Sequence, residues 1–99
     1  MDIIKKIELY KAAINKYSPT DQVNMALEEC GEFIVAVNKY RRSTIDNHEQ
    51  RKTELCGEIA DVIIMMEQMA LMFGRGEVEK IMLIKLTRLE GRLKKVNDN

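Results

Sequence analysis

The sequence predicts an all-α protein folded as one four-helix bundle-like domain over residues 1–99. Leucine, isoleucine, methionine, glutamate and lysine are abundant, there is a single proline and there is no tryptophan, a composition that favours helix over sheet. Apolar side chains recur at helical spacing along most of the chain. A length of 99 residues suffices for one domain and no more. We therefore expect one helical bundle.

Turn signals delimit the first two predicted helices. The first is expected from about Asp2 to Lys16, and Ser18 then suits the N-cap of a second helix. Pro19 suits the first position of that helix and Asp21 its first turn, so the second helix is expected over Pro19–Arg41. Isoleucine and tyrosine side chains follow one face of the first helix: Ile3, Ile7, Tyr10, Ile14 and Tyr17.

Polar and glycine-containing segments delimit the other two helices. Residues 42–47 are polar and are expected to form a loop, whose end caps a third helix that runs to Phe73. Gly74 is a natural C-terminal stop. A fourth helix is expected from about Glu77 to Val96, and residues 97–99 are expected to fray.

Charge and hydropathy argue against nucleic-acid and membrane partners. The 16 basic and 16 acidic residues give a formal net charge of zero, which provides no overall attraction to a polyanion. The longest apolar run, Val62–Met66, is far shorter than the ~20 residues that span a bilayer. The N-terminal sequence lacks the features of a signal peptide. Cys30 and Cys56 are therefore expected to be reduced thiols of a cytoplasmic protein.

The third predicted helix is apolar in nearly every direction. A helix that is apolar all round is buried all round, whereas a four-helix domain buries only one side of each helix. We therefore expect a homodimer or homotetramer; the alternative is a methionine-rich patch that binds another protein. The residues concerned are Ile59, Ala60, Val62, Ile63, Ile64, Met65, Met66, Met69, Ala70, Leu71 and Met72.

Carboxylates on the second and third helices form a candidate metal site. Glu58 and Asp61 interrupt the apolar third helix and share one face, where two unpaired carboxylates are costly. Glu28, Glu29 and Glu32 fall within an arc of about 100° on the second helix. Because their arc lies mostly opposite the apolar side, an ordinary solvated face is the alternative there. Two adjacent helices with such acids supply the hard oxygens that Mg²⁺ or Mn²⁺ prefers.

Cations lie within the apolar stripe of the fourth helix. Lys85 and Arg92 are in the middle of this stripe, and Arg88 is at its edge. These side chains either extend along the apolar surface to keep their charge in water, or point toward the carboxylates. Beside a metal, a lysine and an arginine suit a phosphate chain.

Two motifs resemble those of the MazG-like all-α nucleotide pyrophosphohydrolases. The first is Glu28-Glu29-Cys30-Gly31-Glu32, and the second is Glu58-Ile59-Ala60-Asp61. The spacer of residues 33–57 is similar in length to that of the family, as are the positions of Gln22 and of the basic element Lys85–Arg88. The resemblance covers roughly residues 22–92. The segment after Lys85 lacks the asparagine that many members carry, so base or sugar recognition is expected to differ.

The resemblance implies an activity and roles for individual residues. Members split a nucleoside triphosphate between its α- and β-phosphates, giving a monophosphate and pyrophosphate, and they form dimers or tetramers. Carried over, the Mg²⁺ ligands are Glu29, Glu32, Glu58 and Asp61, with Mn²⁺ as a substitute. The catalytic groups are Glu32, Glu58 and Lys85, with Glu32 accepting the proton of the attacking water. The substrate-binding residues are Gln22, Glu28, Lys85 and Arg88.

A non-catalytic protein is the competing interpretation. A helical homo-oligomeric adaptor would use the acidic cluster to bind a structural metal, or nothing. Cations inside the stripe of the fourth helix favour the enzyme, since an adaptor does not need them. His48 is the single histidine, which removes Ser-His-Asp, Cys-His and Glu-x-x-His chemistry.

Overall fold

The computed structural model describes residues 1–97, and the surroundings of the side chains as far as Lys95. Four helices and no strand make up the described chain, which confirms the all-α prediction. The expected fraying at the C-terminus falls partly outside these residues, because Asp98 and Asn99 are not described. The helices are α1 (Ile3–Lys16), α2 (Pro19–Arg41), α3 (His48–Phe73) and α4 (Arg75–Asn97).

Side-chain caps fix the starts of the first two helices where the sequence places them. The Asp2 carboxylate accepts a hydrogen bond from the Lys5 amide at 2.8 Å, so Asp2 is the N-cap of α1. The Ser18 hydroxyl oxygen accepts from the Asp21 amide at 3.2 Å and caps α2, with Pro19 in its first turn. Both interactions satisfy backbone amides that have no partner within the helix.

The last helix begins two residues earlier than the sequence suggests. Gly74 ends α3 with a φ of 125°, a conformation that favours glycine, and its amide donates to the Ala70 carbonyl at 2.9 Å. This single residue makes the whole turn, because its own carbonyl already accepts from the Val78 amide at 3.0 Å. Arg75 is therefore helical, and it pairs with Glu79 at 3.0 Å.

The hairpin of α2 and α3 is the most extensive contact between helices. Small or unbranched side chains form its buried centre, with Ala26 and Ala36 from α2 and Met65 from α3. Gln22 and Gln68 are also buried there. Ala36 near the end of α2 lines the same cleft as Glu54 near the start of α3, so the two helices run antiparallel.

Polar contacts attach α1 to this hairpin. The Tyr10 hydroxyl donates a hydrogen bond to the Glu67 carboxylate, and the Lys6 ammonium lies 3.5 Å from the same group. Burial, reinforced by this carboxylate, raises the pKa of Tyr10 to about 12. The Gln22 amide group donates to the Ala13 carbonyl at 3.2 Å and joins α2 to α1. The first three helices thus form one unit.

Helix α4 projects away from that unit. Every side chain from Glu79 to Lys95 is exposed, and α4 contacts the rest of the chain chiefly through α3. The radius of gyration is 17.2 Å, whereas a compact domain of this length has about 13 Å. Within one chain, therefore, α1, α2 and α3 pack together, and α4 does not complete the expected four-helix bundle. None of the helices in the described chain has the length and hydropathy to cross a membrane.

Candidate functional site

Three glutamates from the two helices of the hairpin converge at one point. Glu29 and Glu32 lie one turn apart on α2, and Glu58 faces them from α3. One carboxylate oxygen from each residue lies within 4.8 Å of those of the other two. Like charges at this separation repel, so the arrangement calls for protons or a cation.

One carboxylate oxygen of Glu29 and one of Glu58 have no hydrogen-bond partner among the described residues. These atoms, Oε2 of Glu29 and Oε2 of Glu58, are buried. Burial raises the pKa of Glu29, and the charges of Glu32, Asp61, Glu58 and Glu28 raise it further. Burial raises the pKa of Glu58 as well, followed by the charges of Glu32 and Asp61. Buried polar atoms are nearly always paired, so these two oxygens point to a missing partner.

All five carboxylates named from the sequence therefore lie in one neighbourhood. Asp61 follows Glu58 by three residues on α3 and acts electrostatically on both Glu29 and Glu58. Glu28 lies at the edge of the cluster, is exposed, and acts on Glu29. The site thus has a half-buried centre, formed by Glu29 and Glu58, and an exposed rim.

The face of α2 that meets α3 differs from the sequence interpretation. Leu27 and Ile34 belong to the apolar side that the sequence places opposite the acids, yet they are 67% and 58% exposed. The stripe that faces α3 instead contains Gln22, Ala26 and Ala36, and Glu29 follows Ala26 by three residues on the same side. Glu29 consequently points into the hairpin, so the solvated-face alternative does not apply to it.

An open cleft of about 730 Å³ adjoins the cluster. A Cβ atom added at Gly31 would meet no other atom within 4 Å, so this glycine leaves space and does not serve close helix approach. Sequence reasoning missed Lys39 and Glu54, although Lys39 follows Glu32 by two helical turns and Glu54 precedes Glu58 by one. The lining residues are Glu28, Gly31, Glu32, Val35, Ala36, Lys39, Glu54 and Glu58.

The other predicted substrate-binding residues lie elsewhere in the chain. Lys85 and Arg88 are exposed on α4, and within the described chain neither forms an ion pair with the acidic cluster. Gln22 is fully buried, so it offers no surface to a substrate, and its side chain donates to the Ala13 carbonyl of α1. Its side chain holds two helices together. Cys30 and Cys56 are free thiols.

No family model matches the chain, and no curated protein or solved structure matches it either. The structure by itself defines an all-helical protein with a carboxylate cluster between two antiparallel helices.

The donors present fit a hard divalent cation. Carboxylate oxygens are the ligands that Mg²⁺ and Mn²⁺ prefer, and among the described residues neither a thiol nor an imidazole belongs to the cluster. The buried oxygens of Glu29 and Glu58 also favour a cation, because it would supply the partner that they lack among the described residues.

Proposed function

We propose that this protein is a Mg²⁺-dependent nucleotide pyrophosphohydrolase, which splits a nucleoside or deoxynucleoside triphosphate between the α- and β-phosphates. The observation that carries the proposal is the convergence of Glu29, Glu32 and Glu58, with two of their oxygens buried and unpartnered. The resemblance of the two acidic motifs to the MazG-like family supplies the reaction. Mn²⁺ is expected to substitute for Mg²⁺.

The carboxylates divide into two roles in this proposal. Glu29, Glu32, Glu58 and Asp61 would hold the metal, which when bound would neutralise the cluster, polarise the phosphate oxygens and acidify water. Glu32 is exposed and lines the cleft, so solvent and substrate reach it directly. We assign to Glu32 the removal of a proton from the attacking water. Glu58 has its second oxygen buried and is better placed as a fixed ligand.

Oligomerisation belongs to the same proposal. Ile63, Ile64 and Met66 of α3 are between 41% and 51% exposed. A groove of about 470 Å³ between α1, α3 and α4 is lined mainly by apolar side chains. Contiguous apolar surface of this kind marks an interaction site. We propose that a second copy covers it, giving a dimer or tetramer.

The position of α4 links the proposed oligomer to substrate binding. The α4 side chains from Glu79 to Lys95 are exposed in one chain, and among the described residues Lys85 forms no ion pair with the acidic cluster. Lys85 and Arg88 keep their proposed role on the phosphate chain only if α4 of one copy approaches the cleft of another. Analytical ultracentrifugation tests the assembly: a dimer or larger species is expected, and a stable monomer would contradict it.

A nucleotide panel tests the activity. Each common NTP and dNTP is incubated with Mg²⁺ or Mn²⁺, and the products are separated by chromatography. Monophosphate and pyrophosphate are expected from at least one nucleotide, with loss in Glu58→Gln and retention in Glu8→Gln, a matched change at an exposed glutamate of α1. If no nucleotide gave a product, the proposal would be overturned, and the non-catalytic adaptor would be the remaining interpretation. Full turnover by Glu58→Gln would remove Glu58 from the site.

A further inference from the structure

Lys39 is a cation in a cleft whose other charged lining residues are all acidic. The cleft beside the cluster carries Glu28, Glu32, Glu54 and Glu58 on its walls, and Lys39 is the single basic residue among them in the described chain. It lies in the last turn of α2, seven residues after Glu32.

No ion pair among the described residues involves the charge of Lys39. Its neighbours one turn away on either side, Val35 and Ser43, provide no carboxylate that would pair with it along the helix. The side chain is exposed, so its ammonium group is available to a ligand in the cleft.

The spacing along α2 relates Lys39 to the cluster. Seven residues separate Glu32 from Lys39, which is close to two full turns, so both lie on one face about 10 Å apart along the helix axis. An anionic chain that starts at the cluster is repelled by Glu28, which precedes the cluster along α2, and by Glu54, which lies on the antiparallel α3 on the same side as Lys39. Toward Lys39 it meets a positive charge.

We infer that Lys39 binds the β- and γ-phosphates of the substrate, and thereby sets the direction in which the nucleotide lies along α2. The inference deepens the proposed function and rests on it for the identity of the substrate. The pyrophosphate part then lies over the last turns of α2, and the sugar and base lie on the other side of the cluster. Lys39 is a positioning residue for the leaving group, distinct from Lys85 and Arg88.

The test compares variants in a binding experiment that does not need turnover. Pyrophosphate with Mg²⁺ is titrated into the full-length protein by calorimetry, and the same is done with a nucleotide whose α–β bridging oxygen is replaced by a methylene group. Lys39→Ala is expected to weaken both by about tenfold or more, the effect of one charge-assisted hydrogen bond. Lys39→Arg is expected to restore most of the affinity, since it keeps the charge.

Arg41→Ala is the matched control. Arg41 is also in the last turn of α2 and also exposed, so its removal changes the net charge and the helix terminus in the same way, but it does not line the cleft. It is expected to bind both ligands as the wild type does. Equal weakening in Arg41→Ala and Lys39→Ala would overturn the inference, because a general charge effect would then explain it.

The remaining outcomes separate the inference from the proposed function. Nucleotide turnover with unchanged pyrophosphate affinity in Lys39→Ala would overturn the inference and leave the function standing. Binding of pyrophosphate that depends on Lys39, in a protein that turns over no nucleotide, would support the inference and overturn the function. A wild type that binds neither ligand would overturn the inference directly.

Discussion

Glycines 31 and 57 offer a pair of substitutions whose effects the structure separates. Both lie inside helices next to a cluster residue, and a Cβ atom added at either meets nothing within 4 Å. Replacing glycine by alanine in an exposed helix interior stabilises by about 1 kcal/mol. For a domain of this size that raises Tm by about 4–8 °C. Gly31→Ala and Gly57→Ala should therefore stabilise the protein equally.

Activity should distinguish the same two variants. Gly31 lines the cleft and Gly57 does not, so only the methyl group added at Gly31 would occupy space that the proposed substrate needs. An unfavourable contact of about 1 kcal/mol corresponds to about a fivefold rise in KM, expected for Gly31→Ala alone. Thermal and urea unfolding, with nucleotide kinetics, measure both effects. Destabilisation by either variant would refute the reasoning, because it would mean that another surface occupies that space.

Three further predictions concern pH, the metal and the attachment of α1. Because the pKa values of Glu29 and Glu58 are raised in the folded chain, the metal-free protein should lose stability as pH rises from about 4.5 through the raised values; urea unfolding across pH checks this. Glu58→Gln should be more stable than the wild type at pH 7 without metal and equal to it in acid, and a less stable variant would contradict the charge repulsion. Mg²⁺ at 100 times its Kd should stabilise the wild type by about 2.7 kcal/mol and leave Glu58→Gln unchanged, as followed by thermal unfolding. Tyr10→Phe should lower the free energy of unfolding by about 1–2 kcal/mol, since Glu67 loses its hydroxyl donor; no loss would contradict that contact.

Local sequence signals account for the helices themselves. Ser18, Pro19 and Asp21 mark the start of α2, and Gly74 marks the end of α3, because caps and positive φ angles depend on single residues. The start of α4 at Arg75 was harder to predict from the sequence. Two glycines near a helix end allow the turn to use either or both, and only the backbone geometry shows that Gly74 suffices.

Tertiary placement was harder to predict, and the reason lies in the residue types. The face of α2 that meets α3 uses two alanines and a glutamine, which carry little hydropathy, whereas Leu27 and Ile34 carry more and remain exposed within one chain. Apolar periodicity thus indicated that α2 has a buried side but not which partner covers it. The same limit applies to α4, whose stripe is evident in the sequence while its side chains from Glu79 to Lys95 are exposed within one chain.

The carboxylate cluster of the candidate site could be predicted from the sequence, whereas Lys39 could not. The spacing of Glu58 and Asp61 against an apolar background indicated the cluster, and the two motifs indicated Glu29 and Glu32. Lys39 was not found, because a lysine near the end of a helix is ordinarily a solvated charge that complements the helix dipole. Only the position of Lys39 on the wall of the cleft suggests the binding role that we propose for it.

Direct titration of Mn²⁺ tests the central claim, that the carboxylates of α2 and α3 form a divalent-metal site. Electron paramagnetic resonance measures free Mn²⁺ as protein is added, with Mg²⁺ as competitor and with Glu8→Gln as the control. Saturable binding is predicted for the wild type and for Glu8→Gln, displaced by Mg²⁺ and lost in the double variant Glu29→Gln/Glu58→Gln. Absence of saturable binding in the wild type, or undiminished binding in the double variant, would contradict the claim.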